Sequence, residues 1–552
     1  MNKTQKSIVS MLVIALMTFT AGVLFLQAHA TTLPWNNGQL VTSGQLTVAG
    51  SSTVGPIAAE EINPQQGNFV AYWNNLVNTG AVTSSTISQV NLATLGSGTA
   101  IPALAEATGG GAADVGEMSR PPSTGEFAEL PDMQQYAIGV DSVAIVVSPD
   151  MTWFPTSLTT NEVAQLFVDN TPSNTANQGL TGVTGSTPLY TTWGQFLTAF
   201  GFSTTSVPAA ALSENIQRAV RDPTSGTFDC FDNYFVAPNG YQFEYKSDTN
   251  TTDLNPISTT PLTTVTGSEE MAPFTYCEEN INVYNTVSAG SLSTGTDYIG
   301  FISLGYLQSY GVQGGVTKMI GMNISYNTAA TPASAAAGSA SPILKYYGSG
   351  GPGFPTGTSN PPTWGTAVTP TAANVIYAYS GIAGAAATGK YYAWRWLWEV
   401  LPGTIPSTGP LLVAGVWIAY MMADGTTTNE VSGAAVTSTG ASAGGPAVGA
   451  GTSNFVADNN YISLERDDMA GGQVLNSNLQ PFTTASTQTQ SYPTGVVNFN
   501  DITYFVGAYI NYQVNHIYDP YADEDANGVI NFNDIALFVG NYIAYYTTYN
   551  PP

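Results

Sequence analysis

Between residues 40 and about 325 the chain repeatedly runs a short Val/Ile-rich stretch into a turn of small residues and then into a helical stretch. Gln45-Leu-Thr-Val-Ala49 leads into Gly50-Ser-Ser-Thr53, and YAIGVDSVAIVVS (residues 136–148) and DYIGFISL (residues 297–304) are further strand-like runs. Alternation of this kind specifies the α/β class. At roughly 150 residues per domain, the 552 residues allow three or four domains.

Composition narrows the function. The chain carries 11 Lys+Arg against 37 Asp+Glu, a formal charge of −26, and only 9% of residues are charged. A nucleic-acid binder needs basic patches, and so few basic residues cannot form them. The 43% hydrophobic and 11% aromatic content suffices for large cores and excludes an acidic disordered chain. Two histidines and two cysteines leave no ligand set for a zinc finger or a His/Cys catalytic centre.

Met1 to Ala30 has the form of a secretory signal: Lys3 and Lys6, an apolar run from Ile8 to Leu26, then Ala28-His29-Ala30. The expectation is a secreted or cell-surface protein, with the long apolar run able to remain as an anchor. The run PLLVAGVWIAYMM (residues 410–422) is too short to span a bilayer and reads as a buried helix. Export favours one disulfide between Cys230 and Cys277, the alternative being two buried free thiols. Beyond the signal nine basic residues remain: Arg120, Arg218, Arg221, Lys246, Lys318, Lys345, Lys390, Arg395 and Arg466. Sparse charge also suggests an acidic exterior.

Residues 328–374 and 425–453 are Ala/Ser/Gly/Thr-rich and read as inserted loops. Residues 391–422, with Trp394, Trp396 and Trp398, read as core. A short return into the fold is expected over 457–474, and a polar linker over 476–492. Beyond it, TGVVNFNDI (494–502) recurs as NGVINFNDI (527–535), 33 residues later, each copy running into an apolar helix. Residues 493–548 therefore read as a separate small all-α module.

Four segments carry the chemistry: Ala49-Gly-Ser-Ser-Thr-Val-Gly-Pro56, Gly96-Ser-Gly-Thr99, Ala113-Asp-Val-Gly-Glu-Met-Ser-Arg-Pro121 and Arg221-Asp-Pro-Thr-Ser-Gly-Thr-Phe-Asp-Cys-Phe231. Three of them place hydroxyl residues where a helix is expected to start. Free backbone N–H groups there bind oxyanions, and an Arg fork matches a tetrahedral oxyanion. One such segment alone is usually an ordinary helix cap; together, with two of the scarce arginines, they point to a ligand site.

These motifs, above all Arg-x-x-x-Ser-Gly-Thr and Gly-Ser-Ser-Thr-Val, resemble those of the phosphate-binding proteins of ABC-type phosphate transporters. The resemblance covers roughly residues 40–475. It implies a periplasmic-binding-protein-like fold, two α/β lobes joined by crossing strands and closing like a hinge on the ligand. It implies phosphate contacts from Thr53, Val54, Ser97, Arg221, Ser225, Gly226 and Thr227, with Ser119 and Arg120 in the third segment. It also implies a membrane permease as partner and no enzymatic activity. Family members place in the third segment an Asp that accepts phosphate's proton and rejects sulfate. Here Arg120 stands closest to that place, and Asp141, or else Glu117, is the substitute acceptor. Asp141 is preferred, because an Asp amid Val, Ile and Gly is costly to bury.

Asp523-Glu-Asp-Ala-Asn-Gly-Val-Ile-Asn-Phe-Asn-Asp534 fits a twelve-residue calcium loop. Asp523, Asp525, Asn527, Asn531 and Asp534 supply side chains, Val529 a carbonyl, and Gly528 the sharp turn. Asp at the last position resembles a dockerin loop, which implies a cohesin-like partner; the alternative is a partner within the same chain. In the first copy Gln490, Tyr492 and Thr494 replace the early ligands, while Asn498 and Asp501 remain. Two rival functions stand beside transport. One is a cell-surface structural or adhesion protein reusing the fold. The other is a hydrolase with Ser51, Ser52 or Ser225 as nucleophile, for which the mature chain offers only His516 as base.

Overall fold

The structure, a computed structural model, describes residues 44–64, 68–106, 112–167, 190–236, 274–326, 364–422, 462–463 and 497–549, with short gaps inside several of these spans. The signal segment, the insert at 425–453, most of the insert at 328–374 and the linker at 476–492 lie outside them. No described helix is long and apolar enough to cross a membrane.

The chain begins with β1 (Gln45–Gly50), α1 (Gly55–Ile62) and α2 (Phe69–Asn78), followed by β2 (Gln89–Ala93), α3 (Ala100–Ala105) and β3 (Val115–Met118). The long strand β4 (Gln134–Val147) comes next. After it come β5 (Gln217–Arg221), α4 (Gly226–Phe231), β6 (Phe274–Cys277), α5 (Asn280–Ala289) and β7 (Tyr298–Ser303). The chain then returns through β8 (Trp394–Leu401), β9 (Ile405–Pro406) and α6 (Leu412–Met422). It ends with α7 (Phe499–Ile510), β10 (Ile517–Tyr518) and α8 (Phe532–Tyr549).

The main sheet runs β2-β1-β3-β8-β4-β7-β5-β6. β4 serves both halves. Its residues 134–142 pair with β8, and its residues 143–147 pair with β7. Parallel pairs β1–β2 and β1–β3 lie on one side of it, and β5–β6 and β5–β7 on the other. The result is a mixed α/β molecule of two half-sheets sharing one strand. All but the first residue of β4 are buried, as expected of a strand covered on both faces. Ile462–Ser463 adds a short antiparallel pairing to β4, within the stretch expected to return to the fold.

β8 alternates in the way a strand must. Trp394, Trp396 and Trp398 enter the larger core cluster, with ring centroids 5.0 and 5.6 Å apart along the series. Leu397 lies in the other large cluster. The helix α6 is apolar all round and buried over ten of its eleven residues, so it is a core helix.

The C-terminal repeat packs on the first half of the molecule. Ile502, Phe505, Tyr518, Ile530 and Phe538 share one core cluster with α1, α2 and α6. β10 pairs with β9. Tyr521 Oη donates to the Ala137 carbonyl of β4 at 3.0 Å, and Tyr72 Oη to that of Ala526 at 2.6 Å. The module is therefore joined to the lobe by backbone pairing as well as by apolar contact.

The expected disulfide is not formed in the structure: Cys230 and Cys277 are both buried thiols. Cys230 lies on α4 in the main core, whereas Cys277 lies on the edge strand β6 in a separate cluster with Val283 and Val287 of α5. Each thiol serves as a small apolar filler of its own layer.

A candidate anion site between the two half-sheets

Each half-sheet delivers a hydroxyl-rich turn to the shared strand. β1 ends at Gly50, with φ +139°, where a Cβ would stand 2.1 Å from the Glu117 carbonyl oxygen. Only glycine fits that approach. The chain then turns through Ser51–Val54 into α1. Ser51 Oγ accepts from the N–H groups of Thr53 (3.1 Å) and Val54 (3.4 Å). From the other half, Ser225 caps α4, accepting from Thr227 N–H at 3.1 Å and Phe228 N–H at 3.5 Å. At Gly226 a Cβ would lie 2.3 Å from the Ser119 carbonyl oxygen, so this second close approach requires glycine as well. Ser119 in turn donates its N–H to Ser97 Oγ at 3.0 Å. Contacts thus bring all four sequence segments together.

Two arginines from opposite halves meet at one hydroxyl. Arg221, at the end of β5, donates to Thr227 Oγ1 at 3.1 Å and to Ser52 Oγ at 3.3 Å. Arg395, on β8, donates to the same Thr227 oxygen at 2.9 Å and to Thr53 Oγ1 at 3.3 Å. Asn280 Nδ2 also donates to Thr53 Oγ1, at 3.2 Å. Ser52, Thr53, Thr227, Arg221, Arg395 and Asn280 are all buried.

Asp141 holds Arg395 in place. Its Oδ2 accepts from Arg395 Nη2 at 2.7 Å and Nε at 3.2 Å, and its Oδ1 from Ser303 Oγ at 2.9 Å. Both partners are essentially buried. A guanidinium with two of its nitrogens engaged by one carboxylate is fixed in direction as well as place. Asp141 thus lies inside the cluster, as the sequence suggested, but as the holder of an arginine that the sequence reading left in the Trp-rich core. A charged residue at an alternate position of a buried strand was the signal available.

Arg120 takes another course: Nη1 and Nη2 donate to the two oxygens of Glu126 at 2.8 and 2.7 Å. Glu117 lies in β3 with a fully buried side chain, and its pKa is raised to about 8 by burial. Arg218 points its guanidinium at the carbonyls of Leu166, Ile216 and Tyr190, a structural use, and burial lowers its pKa to about 9.

The expected calcium loop is wound as a compact turn. Asp523 accepts from Gly528 N–H at 2.7 Å, Asn527 N–H at 3.1 Å and Tyr518 Oη at 2.5 Å. Asp534 accepts from Asn531 N–H at 2.8 Å, and Asn527 Oδ1 from Val529 N–H at 2.9 Å. Ala526 and Gly528 have positive φ. Carboxylate oxygens of Asp523, Asp525 and Asp534 lie within 4.8 Å of one another, a spacing that fits one hard cation. Burial and neighbouring carboxylates push the Asp534 pKa up to about 7 and raise that of Asp523. In the first repeat, Gln490, Tyr492, Thr494 and Asn498 lie outside the described residues, and Asp501 is buried on α7.

A family model described as a PBP superfamily domain matches residues 37–348, more than half of the chain. The chain belongs to that superfamily. Among solved structures it is similar to a phosphate-binding protein from Stenotrophomonas maltophilia, at 13% identity, with 76% of this chain and 90% of that one covered and a TM-score of 0.37. It is also similar to an ABC-type phosphate transport receptor from Vibrio cholerae, at 15% identity, with 64% and 86% covered and a TM-score of 0.30. No curated protein matches the chain in sequence.

Proposed function

We propose that this protein is an exported, non-enzymatic binder of inorganic phosphate that delivers its ligand to a membrane permease of the ABC type. The observation that carries the reading is the meeting of Arg221 and Arg395 at Thr227 Oγ1, 3.1 and 2.9 Å away, from opposite halves of the sheet. Two guanidinium groups converge there, and the Asp141 carboxylate fixes one of them. Ser52, Thr53 and Thr227 supply hydroxyls. Such a set suits a tetrahedral oxyanion. The overall charge of −26 repels anions at long range, so selection rests on local, aimed dipoles. Ser97, Ser119, Ser225 and Gly226 support the hydroxyl-bearing turns, and Val54 contributes backbone.

A hydrolytic role lacks support at the site: His516 is exposed on the C-terminal module next to β10, whereas Ser51, Ser52 and Ser225 are buried. Within the same reading, the 523–534 loop takes one calcium ion through Asp523, Asp525, Asn527, Asn531, Asp534 and the Val529 carbonyl. Its packing against α2 and α6 favours a partner within the chain over a cohesin-like one.

Equilibrium dialysis of the folded chain against labelled phosphate, with sulfate as competitor, tests the reading. Saturable phosphate binding that excess sulfate does not displace is the expected result. Equal displacement by sulfate would make the ligand class tetrahedral oxyanions at large. Absence of binding would leave the surface-protein alternative standing.

A further inference from the structure

Directly behind the Ser51–Val54 turn lie three glutamates that have no cation beside them among the described residues. Glu61 is on the last turn of α1, Glu117 on β3 and Glu399 on β8. Glu117 and Glu399 are opposite each other in the antiparallel β3–β8 pairing, so their side chains leave the same face of the sheet. All three are 0% exposed. Among the described residues none of their six carboxyl oxygens has a hydrogen-bond partner.

The residues around them are no more basic. α6 contributes Tyr420, whose phenol pKa is raised by burial and by Glu61. β4 contributes Tyr136, the pairing partner of Glu399 on that side, with Tyr521 packed on its ring and Asp519 close enough to raise its pKa. β1 contributes Gly50 opposite Glu117, and α1 adds half-buried Glu60. The ion pairs Arg120–Glu126 and Arg395–Asp141 bind other carboxylates. The trio is also no metal cage: among the described residues, the carboxylates close enough for that are Asp523, Asp525 and Asp534.

Magnitudes decide what state such a cluster adopts. An unpartnered neutral polar group in a protein interior costs about 1–3 kcal/mol, whereas an isolated buried carboxylate costs far more and takes up a proton instead. Two carboxylates facing one another add mutual repulsion.

We propose that Glu61, Glu117 and Glu399 form a proton-loaded support beneath the anion-binding turn, uncharged in acidic and neutral surroundings and disruptive once ionised. The coupling route is short. The Glu117 carbonyl accepts the Ser51 N–H at 2.8 Å, and Gly50 packs on the same backbone. Ionisation would place negative charge behind a turn that, on the function proposed above, faces an anion. This device suits a protein that works in acid.

The sign follows from the direction of the shifts. Burial raises all three pKa values in the folded state, that of Glu117 to about 8 from an ordinary 4.5. The stability they permit is therefore complete below the ordinary carboxylate range. It is lost as pH rises toward the folded values, at about tenfold in the folding equilibrium per pH unit for each retained proton.

The test uses the full chain without ligand. Denaturant unfolding from acid to mildly alkaline pH is compared between wild type and Glu117→Gln/Glu399→Gln. We expect stability to decline with pH in the wild type and to decline less steeply in the variant, which becomes the more stable of the two at alkaline pH. Identical slopes would overturn the proposal. Infrared spectra of wild type labelled with ¹³C-glutamate give a second readout that needs no variant. A protonated glutamate band that survives at neutral pH supports the proposal, and its absence overturns it. Neither readout involves phosphate, so failure here and failure of the binding reading are separable.

Discussion

One strand, β8, carries a charged residue into each of two buried polar clusters, and the two are built on opposite rules. Arg395 enters a cluster in which charges of both signs meet: Asp141 binds its guanidinium, and Thr53 and Thr227 accept further hydrogen bonds from it. Four residues on, Glu399 enters a cluster of three carboxyl groups with no cation among the described residues. Paired charges can stay ionised in an interior, where their fixed orientation favours recognition of a small ion. Unpaired like charges must surrender their charge to remain there. The contrast assigns recognition to the first cluster and acid tolerance to the second.

The largest effect should come from breaking the paired cluster. Arg395→Ala leaves Asp141 buried without its guanidinium, which costs about 3–5 kcal/mol of folding stability, measurable by chemical denaturation. A variant as stable as wild type would remove the argument that the pair is essential. Adding Asp141→Asn should recover much of that loss, because the stranded charge goes with it, and a double-mutant cycle reads the coupling directly.

Next in size is a change to binding rather than folding. Arg221 contacts two hydroxyls, so Arg221→Ala should retain the fold. It should weaken phosphate binding by about 2–5 kcal/mol, which is about 30-fold or more in Kd. Unchanged affinity would exclude this arginine from the site.

Much of this arrangement was legible in the residues. The Val/Ile-rich runs placed β1, β4 and β7, because strand burial leaves a direct compositional trace. The hydroxyl turns were recognisable from Gly and Ser/Thr at expected helix starts, and the structure brings all four segments into contact. Asp141 stood out because its neighbours in the strand are apolar. Arg395 did not, since three tryptophans at alternate positions announce a core and mask the opposite face of the same strand. The cysteines misled because export favours a disulfide, while the layers that separate them are a property of topology alone. The 33-residue repeat was plain, but an amphipathic helix pair does not reveal what covers its apolar side; here α2, α6 and β9 do so.

The second acidic cluster, in the 523–534 loop, sharpens the comparison, because its carboxylates do converge. Calcium in excess should raise the unfolding free energy by about 2.7 kcal/mol at one hundred times its Kd, and Asp523→Ala should abolish the rise. Glu61→Gln, Glu117→Gln and Glu399→Gln should each keep that calcium response. A calcium response lost in Glu117→Gln would blur the division between the two acid clusters.

The smallest effect concerns the seam between the halves. In Gly226→Ala a methyl group would meet the Ser119 carbonyl. Overpacking of this kind costs about 1–3 kcal/mol of folding stability, and it should weaken phosphate binding as well. A loss confined to thermal stability would mean that this contact belongs to the core and not to the site.

Calorimetric titration of the folded chain with inorganic phosphate, wild type beside Arg221→Ala, tests the central claim most directly. The account predicts saturable one-to-one binding by wild type and little or none by the variant. A folded wild type that takes up no phosphate, or a variant that binds as tightly as wild type, would contradict it.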